Sequence, residues 1–183
     1  AANKVMDELN VDLPIMLSGT LTDKSGRTLS GQTVEAFASA IKNDRLLSIG
    51  LNCSFGATDM IPFIKRLSKT QNCFISLHPN AGLPNQFGEY NELPQETAGF
   101  LSDILQSGDV NIVGGCCGTS PAHIRAIADT AAKYRPRVLP DLKPECVLSG
   151  LEPLTINKAS NFINIGERTN VAGSAKFARL IRE

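Results

Sequence analysis

The chain is 183 residues long and 42% hydrophobic, enough to bury a real core in one domain or slightly more. Its 18 basic and 18 acidic residues cancel, and with two tyrosines, no tryptophan and no basic block it offers no nucleic-acid surface. No apolar run approaches the roughly 18 residues of a membrane span, and no signal peptide precedes the first strand. Five cysteines is an odd number, in a spacing unlike a secreted disulfide framework, so a reducing cytoplasm is the expected setting.

Strand and helix signals alternate along the chain. Residues 1–9 read as the end of a helix and Ile15–Gly19 as a short strand, followed by a polar loop holding Asp23-Lys24-Ser25-Gly26-Arg27. Thr33 can cap a helix, with Glu35 well placed in its first turn. Leu46–Leu51 is largely apolar, as in a buried parallel strand. Met60, Phe63, Ile64 and Leu67 fall at i, i+3, i+4 and i+7, one face of a helix. Cys73–Leu77 is the next strand, and a loop rich in Pro, Gly and Asn leads to a helix over 94–107 that stops at Gly108. Val110–Val113 is the fourth strand. Ser120-Pro121 then opens a helix with Ile124, Ile127, Ala128 and Ala131 on one face.

Four strand–helix units, each about 30 residues long, predict a parallel α/β sheet, doubly wound or closed as a barrel. Residues 135–160 change character: Pro136, Pro140, Pro144, Gly150 and Pro153 interrupt any long element, as in a linker. Phe162 to Arg168 reads as a fresh strand and turn, and Ala175 to Arg182 as the start of another helix.

Chemistry concentrates in three of the cysteines. Cys53 ends the run Ile49-Gly50-Leu51-Asn52, and Cys116-Cys117 lie within Val113-Gly114-Gly115-Cys116-Cys117-Gly118. Adjacent strand residues point to opposite faces, so two neighbouring cysteines serve one centre only if the backbone turns sharply. Gly114, Gly115 and Gly118 are read as permitting that turn. Three thiols after two strand ends predict a zinc site with three protein ligands and an open fourth position, the catalytic arrangement. A vicinal disulfide at Cys116-Cys117 conflicts with a reducing compartment.

Other candidates have plainer readings. Cys73 begins its strand and is expected in the core, away from the site, and Cys146 is expected to be unligated in the linker. Asn80 reads as a turn residue or as a polar contact near zinc or substrate. His78 reads as a hydrogen-bonded strand-end histidine before a ligand or a base. His123 is expected at the surface.

Longer motifs carry a family resemblance. Ser18-Gly19-Thr20, the run from Asp23 to Thr33, Gly50-Leu51-Asn52-Cys53, Pro79-Asn80-Ala81-Gly82-Leu83-Pro84 and Gly114-Gly115-Cys116-Cys117-Gly118 closely resemble the cobalamin-dependent methionine synthase family. They match the later half of its homocysteine-binding barrel. Leu148 to Pro153 is similar to its interdomain linker, and Asn164 to Ser174 to the start of its methyltetrahydrofolate-binding barrel. The resemblance implies a (β/α)8 TIM-barrel fragment over 1–134, a linker over 135–160, and the first strand of a second barrel over 161–183. It implies transfer of a methyl group from methylcobalamin, regenerated from 5-methyltetrahydrofolate, to homocysteine, giving methionine. Zinc on Cys53, Cys116 and Cys117 would activate the substrate thiol, with Asn80 near the substrate and Glu167 and Asn170 facing a pterin. Cobalamin would bind elsewhere in a longer protein.

Two alternatives share part of this reading. A betaine-type, cobalamin-independent homocysteine methyltransferase would share the zinc motif but lack the folate-domain start. A structural zinc module would close the metal with a fourth protein ligand, for which His78 is the candidate. Half of an eight-unit barrel should also expose strand edges near Ile15 and Val110 together with an apolar inner face, so self-association or a partner is expected.

Overall fold

The structure is a computed structural model that describes residues 1–41, 45–163 and 173–182. After α1 (Ala2–Leu9), strands β1 (Ile15–Gly19), β2 (Leu46–Asn52), β3 (Phe74–His78) and β4 (Ile112–Val113) form one sheet in the order β1-β2-β3-β4. All three strand pairs are parallel. The crossovers are α2 (Val34–Ser39), α3 (Ala57–Ser68) and α4 (Pro94–Ser107), and α5 (Pro121–Ala131) follows β4. Each helix packs against the next, α2 on α3, α3 on α4 and α4 on α5. Sequential strand order with such a row of neighbouring helices is barrel winding, so the fold is four units of a (β/α)8 barrel. Among the described residues no helix is long and apolar enough to cross a membrane.

The register sorts the sheet into two faces. Leu17, Ile49 and Ile75 align across β1, β2 and β3, and Leu51, Leu77 and Val113 across β2, β3 and β4. These residues face the helices and join Met60, Ile64, Leu67, Leu101, Ile104 and Ile127 in one core. The periodic stripe on α3 is therefore the buried face anticipated from its spacing. Thr33 caps α2 through its Oγ, which accepts from the Ala36 N–H at 3.3 Å. Gly108 ends α4 at φ 68, where the left-handed region favours glycine.

The opposite face differs from the expected apolar surface. By strand alternation it carries Ser18, Ser48, Gly50, Asn52, Ser76 and His78, with Met16, Phe74 and Ile112 as its apolar members. Barrel interiors are ordinarily filled by branched apolar side chains. At Gly50 there is no space for any side chain: a Cβ there would meet the Ser76 carbonyl oxygen at 2.0 Å. The Ser48 hydroxyl is buried without a hydrogen-bond partner among the described residues.

Residues 135–160 are not a free tether. Arg137 is 7% exposed, and its guanidinium donates to the carbonyls of Ser68 at 2.5 Å and Cys73 at 2.9 Å, and also to that of Gln71. The Arg137 carbonyl accepts from Asn111 Nδ2 at 2.8 Å, so the segment after α5 is pinned under β3 and β4. A hairpin follows, β5 (Cys146–Ser149) antiparallel to β6 (Pro153–Ile156). It docks beside α2: the Thr33 N–H donates to the Leu151 carbonyl at 2.9 Å, and Ser149 Oγ to the Ala36 carbonyl at 2.6 Å. Arg27 pairs with Glu152 across the same contact. The prolines limit each strand to a few residues without preventing a folded hairpin.

His123 corrects the surface reading. It is 7% exposed at the third position of α5. Its Nε2 donates to the Glu92 carbonyl at 2.8 Å, which leaves Nδ1 to accept from the Ser120 N–H at 3.2 Å. The imidazole thus takes the capping-box role usually played by Glu or Gln and ties α5 to the start of α4. The strand anticipated from Phe162 falls largely on 164–172, which lie outside the described residues. Helix α6 (Ala175–Arg182) forms where the sequence places it.

Two outcomes follow for this architecture. Arg137→Ala in the intact protein should cost about 2–3 kcal/mol in urea unfolding, because three carbonyls lose a charged donor at once; a loss below about 0.5 kcal/mol would contradict that role. The 183 residues expressed alone should self-associate in sedimentation, since the outer edges of β1 and β4 are unpaired among the described residues. A compact monomer with a cooperative melt would contradict this.

Candidate metal centre

The ends of β2 and β4 flank the end of β3, and this adjacency brings the cysteine loops together. The Cys53 N–H donates to the His78 carbonyl at 3.0 Å, the Cys116 N–H to the Pro79 carbonyl at 2.8 Å, and the Ala81 N–H to the Cys117 carbonyl at 2.9 Å. The loop after β3 is therefore a seam to which both cysteine segments are stitched. Asn80, 3% exposed, lies in that seam. Its N–H donates to the Phe55 carbonyl at 2.9 Å and its Oδ1 accepts from the Cys117 N–H at 3.1 Å.

Two local devices turn the sulfurs inward. Cys53 and Ser54 hold consecutive positive φ angles of 61° and 69°. For residues with a side chain this conformation costs about 1–2 kcal/mol each, strain of the kind concentrated at functional sites. At the vicinal pair, only Gly118 has positive φ, 78°. Gly114 and Gly115 serve space instead of a turn: a Cβ would meet His78 Cδ2 at 2.6 Å and Thr119 Cγ2 at 2.4 Å, respectively.

The three sulfurs converge. Cys53 Sγ lies 3.6 Å from Cys117 Sγ, and Cys116 Sγ 4.0 Å from Cys117 Sγ, with all three within 4.8 Å of one another. Tetrahedral zinc with bonds of about 2.3 Å needs sulfurs about 3.8 Å apart, close to the two separations that Cys117 makes. Cys53 and Cys116 are half-buried and Cys117 is exposed, so the cluster has an open side. No fourth Cys, His, Asp or Glu joins it among the described residues.

Hydrogen bonding already separates the thiols. The Ser54 N–H, the other two cysteines and Asn80 hold the Cys53 thiol below its ordinary pKa, against an opposing effect of burial. Cys117 is pushed up by its bonds to Cys53 and Cys116 and by their charge. Tyr90 is raised by desolvation and by the charge and hydrogen bond of Cys117. Its ring covers Gly118, where a Cβ would come within 2.4 Å of it. Neither Tyr90 nor Ser54 stands out in the sequence, because each acts through a fold contact and not through a motif.

The remaining candidates separate cleanly. His78 is outside the cysteine cluster, and burial pushes its pKa down, favouring the neutral ring. Cys73 packs against the core with its thiol raised by burial, and Cys146 is exposed on β5. Glu167 and Asn170 lie outside the described residues.

Comparison with known proteins bears on the same residues. The structure resembles the homocysteine methyltransferase MmuM from Escherichia coli in its oxidized form, with a TM-score of 0.52 and 18% identity, over 70% of this chain and 39% of that one. The apo form of that protein matches with a TM-score of 0.47 and 22% identity, over 70% of this chain and 43% of that one. The first likeness supports the fold, and the chain spans less than half the length of either. Residues 1–131, which hold all four sheet strands and the three clustered cysteines, match the family described as Homocysteine S-methyltransferase, and the chain belongs to that family.

Proposed function

We propose that this chain is the zinc-binding, homocysteine-activating part of a cobalamin-dependent methionine synthase. The observation that carries the reading is the three-thiol cluster with one open side. Zinc held there by Cys53, Cys116 and Cys117 would supply Lewis acidity that stabilises an incoming thiol as its thiolate at neutral pH. Free thiols have a pKa of about 8.5 and are mostly protonated, hence poor nucleophiles, without such help.

The chain's own residues do the rest. The strained turn at Cys53 and the seam through Asn80 fix the donor sulfurs, so binding needs little reorganisation. Three thiolate donors surround the site with negative charge, which keeps a fourth sulfur electron-rich. Exposure of Cys117 leaves the approach open to substrate and to a methyl donor carried by another part of the protein. Asn80 borders the cluster and is our candidate for a polar contact to the substrate. The donor in this reading is methylcobalamin bound elsewhere and regenerated from 5-methyltetrahydrofolate. Residues 1–134 would form the later half of the homocysteine barrel, 135–160 the interdomain linker and 161–183 the start of the folate barrel, with Glu167 and Asn170 toward a pterin. The sequence Asn164–Ser174 is what favours this donor over a betaine-type one. A cytoplasmic location suits thiols close enough to oxidise.

The metal is tested by zinc analysis of the intact protein, which should hold one zinc at this centre. Cys53→Ser, Cys116→Ser and Cys117→Ser should each weaken it by more than the roughly 10- to 100-fold cost of losing an outer-shell partner. Cys73→Ser and Cys146→Ser should retain it. Unchanged zinc content in Cys117→Ser would remove the assignment.

The substrate is tested by calorimetry in buffers of different ionisation enthalpy. Homocysteine should release a proton on binding, since the thiolate is the ligand, and homoserine should bind roughly 100-fold more weakly or worse. Equal affinities would rule out sulfur ligation. Methyl transfer by the intact protein from a betaine-type donor, and none from methylcobalamin, would overturn the cobalamin part alone.

A further inference from the structure

Cys53 and Ser54 both occupy the left-handed region, at φ 61° and 69°, with no glycine to ease the turn. Such a pair relaxes to ordinary backbone angles unless something outside it holds the side chains. Cys53 is held by its N–H on the His78 carbonyl, and the Phe55 N–H closes the turn on the Cys53 carbonyl at 2.8 Å. Ser54 is held by its hydroxyl, which donates to the carbonyl of Leu21. Ser54 directly follows Cys53 in the same left-handed turn, so the orientation of Ser54 is felt at the backbone that aims the sulfur.

Leu21 is itself fixed by a chain of contacts. It is 2% exposed and bridges to Thr28, while Arg27 bridges to Thr33, closing the 20–33 loop into a compact ring. Arg27 Nη1 donates to the Gly31 carbonyl at 2.7 Å, and Nη2 pairs with Glu152 in the β5–β6 turn. Gln32 Nε2 reaches the Gly150 carbonyl of that turn at 3.3 Å. An unbroken path therefore runs from the hairpin turn through the ring to Leu21, Ser54 and Cys53.

We propose that Ser54 is a positioning residue for the metal centre, and that its bond to Leu21 makes the geometry of Cys53 depend on the hairpin docked against the 20–33 loop. The proposal rests on the zinc reading above. Its consequence is that the segment leading to the next domain reports its docking to a zinc ligand without touching the metal. Outer-shell partners that fix ligand orientation commonly carry this kind of influence.

The test measures zinc affinity of the intact protein by chelator competition, together with the visible spectrum of the cobalt(II)-substituted form. Ser54→Ala should weaken zinc about 10- to 100-fold and shift the cobalt bands. Ser54→Gly guards against misfolding, since glycine accepts φ near 69° yet lacks the hydroxyl; it should also weaken zinc, with an unchanged melt. Glu152→Lys, which sets a cation against Arg27, should weaken zinc in the same direction by a smaller factor. Combined with Ser54→Gly it should add little, because both act through one path. Affinity and spectrum like wild type in Ser54→Gly would overturn the positioning role. A full additional loss in the double variant, or none in Glu152→Lys, would overturn the link to the hairpin. Wild-type protein that binds no zinc, or Cys117→Ser that keeps it, would instead overturn the metal reading and this proposal with it.

Discussion

The structure depends on one constraint: three parallel strands must end at the same level for two cysteine segments to meet across a third. The Cys53 N–H on the His78 carbonyl and the Cys116 N–H on the Pro79 carbonyl both use the segment leaving β3. Asn80 completes the seam by accepting from Cys117. Break the register of β2 on β3 by one residue and the Cys53 N–H no longer meets the His78 carbonyl. The apolar rows Leu17–Ile49–Ile75 and Leu51–Leu77–Val113 forbid that slip, since it would expel Ile49 and Leu51 from the core. The cysteine cluster is thus specified by the hydrophobic pattern beneath it as much as by its own residues.

The helices and the convergence of the three thiols were legible in the sequence because each has a local signature. Met60, Phe63, Ile64 and Leu67 announce the buried stripe of α3, Thr33 caps α2, and Gly108 ends α4. The thiol triad was legible because adjacent cysteines after a strand demand a turn. What stayed hidden are interactions that need tertiary context. His123 looks like a surface residue until α4 supplies the Glu92 carbonyl beside it. Arg137 looks like one charge among prolines until the carbonyls of Ser68 and Cys73 surround it. The glycines at 114 and 115 looked like hinges, but their neighbours His78 and Thr119 make them spacers.

The inner face of the sheet changes how this half of the barrel is pictured. Serines and Gly50 replace the bulky interior expected of a closed barrel, and at Gly50 the neighbouring strand leaves no space for a side chain. The hairpin is a proline-flanked segment held by the Leu151 carbonyl, the Ser149 hydroxyl and a charge pair at Glu152.

The central claim is that the three sulfurs form a metal centre whose open side takes a substrate thiol. Zinc-edge X-ray absorption on the intact protein addresses it directly. The account expects three sulfurs at about 2.3 Å and one lighter neighbour before homocysteine is added, and four sulfurs afterwards. Fewer than three sulfurs at the start, or no gain of sulfur with homocysteine, would contradict it.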